Sequence, residues 1–137
     1  NKAFSILELM VVVVIIAVLA AIAFPKYNKA VEETHKREAL TALNIIRSAE
    51  LAYKIDNNKY YAVASLADSG VDKDTADDAR SVLNIDIYDN EDWDYSVGVS
   101  GIDSSTATAT AVRQRGEHMN NQILLDITGG AVSEYSW

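Results

Sequence analysis

The segment FSILELMVVVVIIAVLAAIAFP, residues 4–25, decides the fold of this chain because it is almost entirely apolar. It carries one carboxylate, Glu8, near its start, and it ends at Pro25. A helix over residues 4–24 would be about 30 Å long, which matches the hydrocarbon core of a bilayer. Apolar residues cover every side of that helix, so it is not an amphipathic surface helix.

Three kinds of segment fit this pattern. A secretory signal peptide would have a shorter apolar region, although residues 21–23 resemble its cleavage site. An ordinary membrane anchor explains the length but not Glu8. A helix that lies first in a membrane and later in a protein bundle explains both, because a free α-amino group on another copy could pair with the carboxylate. In the alternative, Glu8 lies at the membrane interface and reaches water.

Composition narrows the classes of function. The chain has 137 residues, which suits one domain, and it has no cysteine for a disulfide or a thiolate metal site. Its net charge of −8 argues against a nucleic-acid-binding surface. Acidic residues concentrate between positions 56 and 103. They predict a strongly solvated surface in the middle of the chain.

A second helical pattern follows Pro25. This residue should bend or loosen the helix, because proline lacks an amide proton and clashes with the preceding turn. Apolar residues then recur at three- and four-residue spacing, which predicts an amphipathic helix over residues 25–55 that packs on a sheet. They are Ala39, Ala42, Leu43, Ile46, Ala49 and Tyr53. An acidic, turn-rich connection is expected over residues 56–92, with a short helix at 74–83.

Beyond residue 92 the apolar period changes to two, which predicts strands. Alternating runs cover residues 93–99, 106–113, 121–127 and 131–137. Gly129 and Gly130 predict a hairpin turn in which both take positive φ, and Trp137 is expected to end the last strand. Short links favour an antiparallel meander.

We therefore predict an α+β fold. It consists of a long hydrophobic N-terminal helix over residues 4–55, whose second half packs on a small antiparallel sheet of about four strands. The sheet occupies residues 93–137, and residues 25–137 together form the globular domain.

No catalytic constellation stands out, so the sequence predicts a protein that is not an enzyme. The main ligand candidates are five carboxylates, which are Asp86, Asp89, Glu91, Asp92 and Asp94. Carboxylate oxygens suit calcium, but no recognised motif matches these residues, and a solvated, mutually repelling loop is the preferred interpretation. We predict no bound cofactor, with calcium as the alternative.

Residues 3–13, AFSILELMVVV, resemble the cleavage and methylation motif of type IV pilins and type II secretion pseudopilins. The resemblance implies that a prepilin peptidase cuts between Ala3 and Phe4 and then methylates the new N-terminal amine of Phe4. Residues 1–3 would then be a leader remnant. The chain departs from the commoner pattern at Ala3 and Ala17, where many members have glycine.

The same resemblance implies roles for two further residues. Glu8 would neutralise the Phe4 amine of a neighbouring subunit during filament assembly. Pro25 would be the helix-distorting proline of the family. Residues 4–24 would lie in the membrane before assembly and in the filament core afterwards.

The function implied by the family is that of a structural subunit, a major pilin, which polymerises into a type IV pilus-like filament. Its partners would be copies of itself, the prepilin peptidase, an inner-membrane assembly platform and an assembly ATPase, without nucleic acid. The unassembled subunit would lie in the inner membrane and the filament at the cell surface. The alternative within the family is a pseudopilin of a type II secretion system, which the absence of cysteine favours. An alternative of a different class is a single-pass, membrane-anchored extracytoplasmic binding domain, which would not need Glu8.

Overall fold

The structure is a computed structural model that describes residues 5–66, 73–87, 92–101, 105–116 and 119–135. Its helices and strands, in chain order, are α1 (Ile6–Asn57), α2 (Lys73–Leu83), β1 (Trp93–Ser100), β2 (Thr106–Arg113), β3 (Gln122–Asp126) and β4 (Val132–Tyr135). The predicted α+β fold, with a long apolar N-terminal helix and a four-stranded antiparallel sheet, is confirmed.

Helix α1 begins after Ser5, which caps it. The Ser5 hydroxyl accepts a hydrogen bond from the Leu7 amide at 3.3 Å, and the Ser5 carbonyl accepts one from the Leu9 amide at 3.2 Å. Serine is favoured here because its oxygen satisfies an amide that the first helical turn leaves without a partner. The helix continues through Pro25 without interruption. The distortion that we expect at Pro25 in the assembled form stays a prediction.

The C-terminal end of α1 lies two residues beyond the predicted Ile55. The cause is Asn58, which takes a left-handed conformation with φ of 58° and whose amide donates to the Lys54 carbonyl at 2.8 Å. A left-handed residue directly after the last turn is a common way to end a helix, and asparagine tolerates it better than most residues.

The chain divides into two compact units, residues 1–36 and residues 37–137. Every buried side chain among the described residues belongs to the second unit. Its core combines one stripe of α1, formed by Ala39, Leu43 and Ile46, with the inner face of the sheet. The predicted packing of this part of α1 on a sheet is therefore confirmed.

The sheet is a meander in which each strand pairs antiparallel with the next, in the order β1-β2-β3-β4. Trp93 lies opposite Arg113, Thr108 opposite Asp126, and Leu125 opposite Val132. Alternate residues point into the core, as the period of two predicts. The buried set is Trp93, Tyr95 and Val97 of β1, Ala107, Ala109 and Ala111 of β2, and Ile123 and Leu125 of β3.

The acidic connection over residues 56–92 contributes more to the core than the sequence suggested. Val63 forms a bridge with Val97, so the connection covers the outer edge of β1. Its buried apolar residues are Tyr60, Val63, Leu66, Ala79, Leu83, Ile85 and Ile87. The predicted solvated surface concerned the acidic side chains, and Asp56, Asp78 and Asp86 are exposed. The sequence did not show that the apolar residues between them belong to the core, because these residues do not follow one clear period.

The turn between β3 and β4 uses one left-handed glycine rather than two. Gly130 has φ of 74°, whereas Gly129 does not take positive φ. The Asp126 side chain accepts from the Thr128 amide at 2.9 Å, and the Asp126 carbonyl accepts from the Gly130 amide at 2.7 Å. These bonds shape the first part of the turn, so only its last residue needs the left-handed region. Trp137 lies outside the described residues.

Candidate functional site

The first unit carries an apolar surface that its own residues leave uncovered. The large hydrophobic side chains between Ile6 and Phe24 are each 45–80% exposed. Among the described residues, α1 is the one helix that is long and apolar enough to cross a membrane, judged by length and composition alone. Contiguous exposed apolar surface of this size marks contact with lipid or with another protein.

Glu8 is the single charged residue within this apolar surface. It lies in the first turn of α1 and is exposed. A carboxylate is favoured there because the free amides of the first turn make that end of a helix electropositive. Ala3 and Phe4 lie outside the described residues, so cleavage between them, methylation of Phe4 and pairing of its amine with Glu8 stay predictions.

The second unit contains a buried carboxyl group that the sequence analysis did not select. Glu50 of α1 is fully buried, and its Oε2 accepts a hydrogen bond from the Tyr61 amide at 2.9 Å. Among the described residues its Oε1 has no hydrogen-bond partner. The bond from Tyr61 ties the end of α1 to the start of the connection. A signal was present, because Glu50 continues the stripe of Ala39, Leu43 and Ile46 at helical spacing.

Burial decides the protonation of Glu50. Removal from water raises the pKa of this carboxyl from its ordinary value of 4.5 to about 7, and the Tyr61 amide lowers it only in part. The group is therefore neutral in the folded protein over most of the acidic range. A neutral carboxyl is far less costly to bury than an ionised one.

Aromatic side chains surround the same end of α1. The rings of Tyr53 and Tyr61 meet edge to face with centroids 5.5 Å apart. The ammonium of Lys54 lies 4.2 Å from the centroid of the Tyr60 ring and donates to the Ser105 carbonyl at 3.3 Å. These contacts hold the helix end against the connection and the β1–β2 hairpin.

A second contact attaches α1 to the last hairpin. The Arg47 Nε donates to the Ile127 carbonyl at 3.0 Å. Its guanidinium also lies over Gly130, where an added Cβ would be 3.1 Å from Nη2. Two features therefore favour glycine at position 130: its positive φ and the close approach of the Arg47 guanidinium. The sequence predicted the turn at Gly130, but nothing in it indicated that Arg47, 83 positions earlier, contacts this turn.

The structure describes three of the five calcium candidates. Asp89 and Glu91 lie outside the described residues, Asp86 is exposed, and Asp92 and Asp94 are half-buried. The Asp94 Oδ1 accepts from the Ser65 hydroxyl at 2.7 Å. Within the described part of the chain, no group of three or more potential ligands is arranged to hold a metal ion. Calcium binding stays untested.

The apolar segment matches a motif known from other proteins. Residues 1–24 match the family model described as the prokaryotic N-terminal methylation motif. Over 76 residues the chain is 34% identical to the type II secretion system core protein G of Aeromonas hydrophila. The aligned segment covers 56% of this chain and 53% of that protein. Over 117 residues it is 29% identical to a fimbrial protein of Pseudomonas aeruginosa, covering 82% of this chain and 76% of that protein.

A third relative is the type IV major pilin protein PilA of Myxococcus xanthus, which is 37% identical over 60 residues and matches 44% of this chain and 27% of its own length. The chain is thus similar to type IV pilins and to type II secretion pseudopilins. It spans about half the length of the Aeromonas relative and about three quarters of the Pseudomonas one. No solved structure matches it.

The similarity to pilins and pseudopilins agrees with the exposed apolar surface of the first unit. The matched motif covers the predicted cleavage position, Glu8 and most of the exposed apolar surface. Relatives come from both branches, since two of the three are named as pilus or fimbrial subunits and one as a secretion protein.

Proposed function

We propose that this chain is a structural subunit of the pilin family that polymerises through residues 4–24 into a type IV pilus-like filament. The observation that carries the proposal is the exposed apolar surface between Ile6 and Phe24 with Glu8 as its single charge. Lipid would cover this surface before assembly, and copies of the same helix would cover it afterwards. The role is structural rather than catalytic, and the globular unit serves as the surface of the filament.

The carboxylate explains why the helix is more than an anchor. Apolar packing alone does not fix the register between two such helices, because the run from Val11 to Ile16 offers nearly equivalent contacts when one helix slides along another. A buried pair between Glu8 and the Phe4 amine of a neighbour does fix it, since a misregistered subunit leaves both charges without partners in an apolar core. This pairing also requires a prepilin peptidase to create the amine at Phe4.

The remaining partners and the location belong to the same proposal. An inner-membrane platform and an assembly ATPase would extract the subunit from the inner membrane, and the filament would extend from the cell surface. The second candidate is a pseudopilin of a type II secretion system. It is favoured by the similarity to core protein G and by the absence of cysteine.

Substitution of Glu8 tests the proposal. Glu8→Ala and Glu8→Gln should leave a processed, membrane-inserted subunit that forms few or no filaments, counted by electron microscopy of sheared cell-surface material. Glu8→Asp should be intermediate, because the charge remains on a shorter side chain. Val13→Ala serves as the control, because it changes apolar volume in the same segment without changing charge.

Three results would contradict the proposal. Normal filament numbers with Glu8→Ala would show that the carboxylate is not needed for assembly. An N-terminus other than Phe4 in the isolated filament, read by mass spectrometry, would remove the predicted partner of Glu8. A chain that stays in the inner membrane as a monomer would support the anchored binding domain instead.

A further inference from the structure

The part of α1 that follows Pro25 carries a dense set of charges. Residues 26–38, KYNKAVEETHKRE, are here named the charged belt. Lys29, Glu33 and Arg37 are exposed, and Glu32 and Lys36 are half-buried. All of them lie within one uninterrupted helix. In a bundle of such helices, the charged belts of neighbouring subunits would lie side by side.

The order of the charges favours one axial displacement between parallel copies. When one copy is shifted by four residues, Lys29 lies level with Glu33, Glu32 with Lys36, and Glu33 with Arg37. These are three opposite-charge pairs without a like-charge pair. A shift of three gives two opposite pairs, but it also sets Lys26 against Lys29. Every other shift from one to twelve gives at most one opposite pair.

The same shift relates Glu8 to position 4, because 8 − 4 is also four residues. At about 1.5 Å per residue it corresponds to roughly 6 Å along the helix axis. We propose that the charged belt is a second interface with a neighbouring copy, which selects the same four-residue displacement as the Glu8 pair. This inference rests on the proposed polymerisation through α1.

Charges four residues apart also pair within a single helix. Glu32, Glu33, Lys36 and Arg37 all have partners within the chain. Those bonds do not prevent contacts with a neighbour, because a carboxylate accepts several hydrogen bonds and lysine and arginine donate three and five. Pairing within one helix and pairing between subunits use the same spacing, so only an experiment that mixes two kinds of subunit separates them.

The decisive variant inverts the charged belt with Lys29→Glu, Glu32→Lys, Glu33→Lys, Lys36→Glu and Arg37→Glu. The three pairs that lie four residues apart within one helix remain opposite in sign, and so do the corresponding pairs between two inverted subunits at the four-residue displacement. An inverted subunit beside a wild-type subunit instead forms three like-charge pairs at the four-residue displacement. Each chain alone should therefore form filaments, and the two should not mix.

The assay is co-expression of the full-length wild-type and inverted chains with different epitope tags. The order of subunits in each filament is read by two-colour immunogold labelling. At low salt we expect neighbours of the same type to exceed mixed neighbours at least tenfold, and this excess should fall as salt screens the charges. Two tagged wild-type chains, and wild type with Lys59→Glu at an exposed site beyond α1, should mix freely.

The outcomes separate this inference from the proposed function. Random mixing of two chains that each form filaments would overturn the charged-belt interface and leave polymerisation intact. Absence of filaments from the wild-type chain would overturn the proposed function.

Cysteine pairs provide a test that does not depend on assembly of the inverted chain. The protein has no cysteine, so introduced thiols are the only ones present. Chains carrying Lys29→Cys are co-expressed with chains carrying Glu33→Cys, and the filaments are oxidised. We expect more disulfide-linked dimer from this pair than from Lys29→Cys with Lys36→Cys, because a disulfide needs Cα atoms within about 7 Å. Absence of the 29–33 dimer would overturn the displacement.

Discussion

Replacement of Glu50 by glutamine should stabilise the folded protein at neutral and alkaline pH. In the folded chain this carboxyl is fully buried, and burial raises its pKa from 4.5 to about 7. Between these two values the unfolded chain has lost the Glu50 proton, whereas the folded chain retains it. The free energy of unfolding therefore falls as pH rises from about 4.5 to 7, and this contribution is constant above that range.

The magnitude follows from the two pKa values. Their separation of about 2.5, from 4.5 to about 7, corresponds to about 3 kcal/mol at ~1.4 kcal/mol for each pH unit. Glutamine has nearly the same shape, stays neutral, and its carbonyl can accept the bond from the Tyr61 amide. The Glu50→Gln protein should thus match wild type near pH 4.5 and exceed it by up to about 3 kcal/mol at pH 8.

The measurement is urea unfolding of the full-length chain in detergent micelles at several pH values between 4.5 and 8. Fluorescence of the buried Trp93 and far-ultraviolet circular dichroism should report one transition. Asp56→Asn is the control, because Asp56 is an exposed carboxylate on the same helix. It should change the free energy of unfolding by less than about 0.5 kcal/mol at every pH.

One result would refute this reasoning. If Glu50→Gln destabilised the protein equally at pH 4.5 and pH 8, the folded protein would hold an ionised Glu50 with a charge partner, and its burial would not control its protonation. A benefit confined to high pH is the signature of a carboxyl that is neutral when folded.

Three further predictions concern the hairpin contacts and calcium. Gly130→Ala should lower the free energy of unfolding by about 1–2 kcal/mol, because φ is 74° and the new Cβ would crowd Arg47. Gly98→Ala is the control and should be near neutral, because its Cβ would meet no atom closer than 4.0 Å. Arg47→Met should lower the free energy of unfolding by about 1.5 kcal/mol, since it removes the hydrogen bond to the Ile127 carbonyl and keeps the aliphatic part of the side chain. Equal stability of the variant and wild type would show that this bond contributes nothing. Millimolar calcium should leave the thermal midpoint unchanged, because the Asp94 side chain is already bonded by a serine hydroxyl, and a rise of several degrees would contradict this.

The sequence predicted the elements of this fold well where a strong period was present. The alternation after Trp93 located all four strands to within one or two residues, and the stripe from Ala39 to Ile46 showed which side of α1 is buried. It did not predict the long-range pairs. The bond from Tyr61 to Glu50 joins residues 11 apart, and the bond from Arg47 to Ile127 joins residues 80 apart. The helical period places Glu50 on the buried stripe, but it does not show which residue pairs with Glu50 or with Arg47, because each pair depends on how separate elements pack.

Helix α1 carries two apolar surfaces, one that the chain leaves exposed and one that the chain buries. Between Ile6 and Phe24 it is apolar on every side and exposed, and under the proposed function lipid or other copies would cover it. From Ala39 to Glu50 only one stripe is buried, and the partners of that stripe are the sheet and connection of the same chain. If the chain polymerises as proposed, assembly and folding would depend on different residues of one helix. Glu8→Ala should abolish filaments while it changes the urea unfolding of the Trp93 core by less than about 0.5 kcal/mol. A loss of several kcal/mol in that variant would mean that the apolar segment and the globular core unfold as one cooperative unit, and poor assembly could then no longer be assigned to the missing charge.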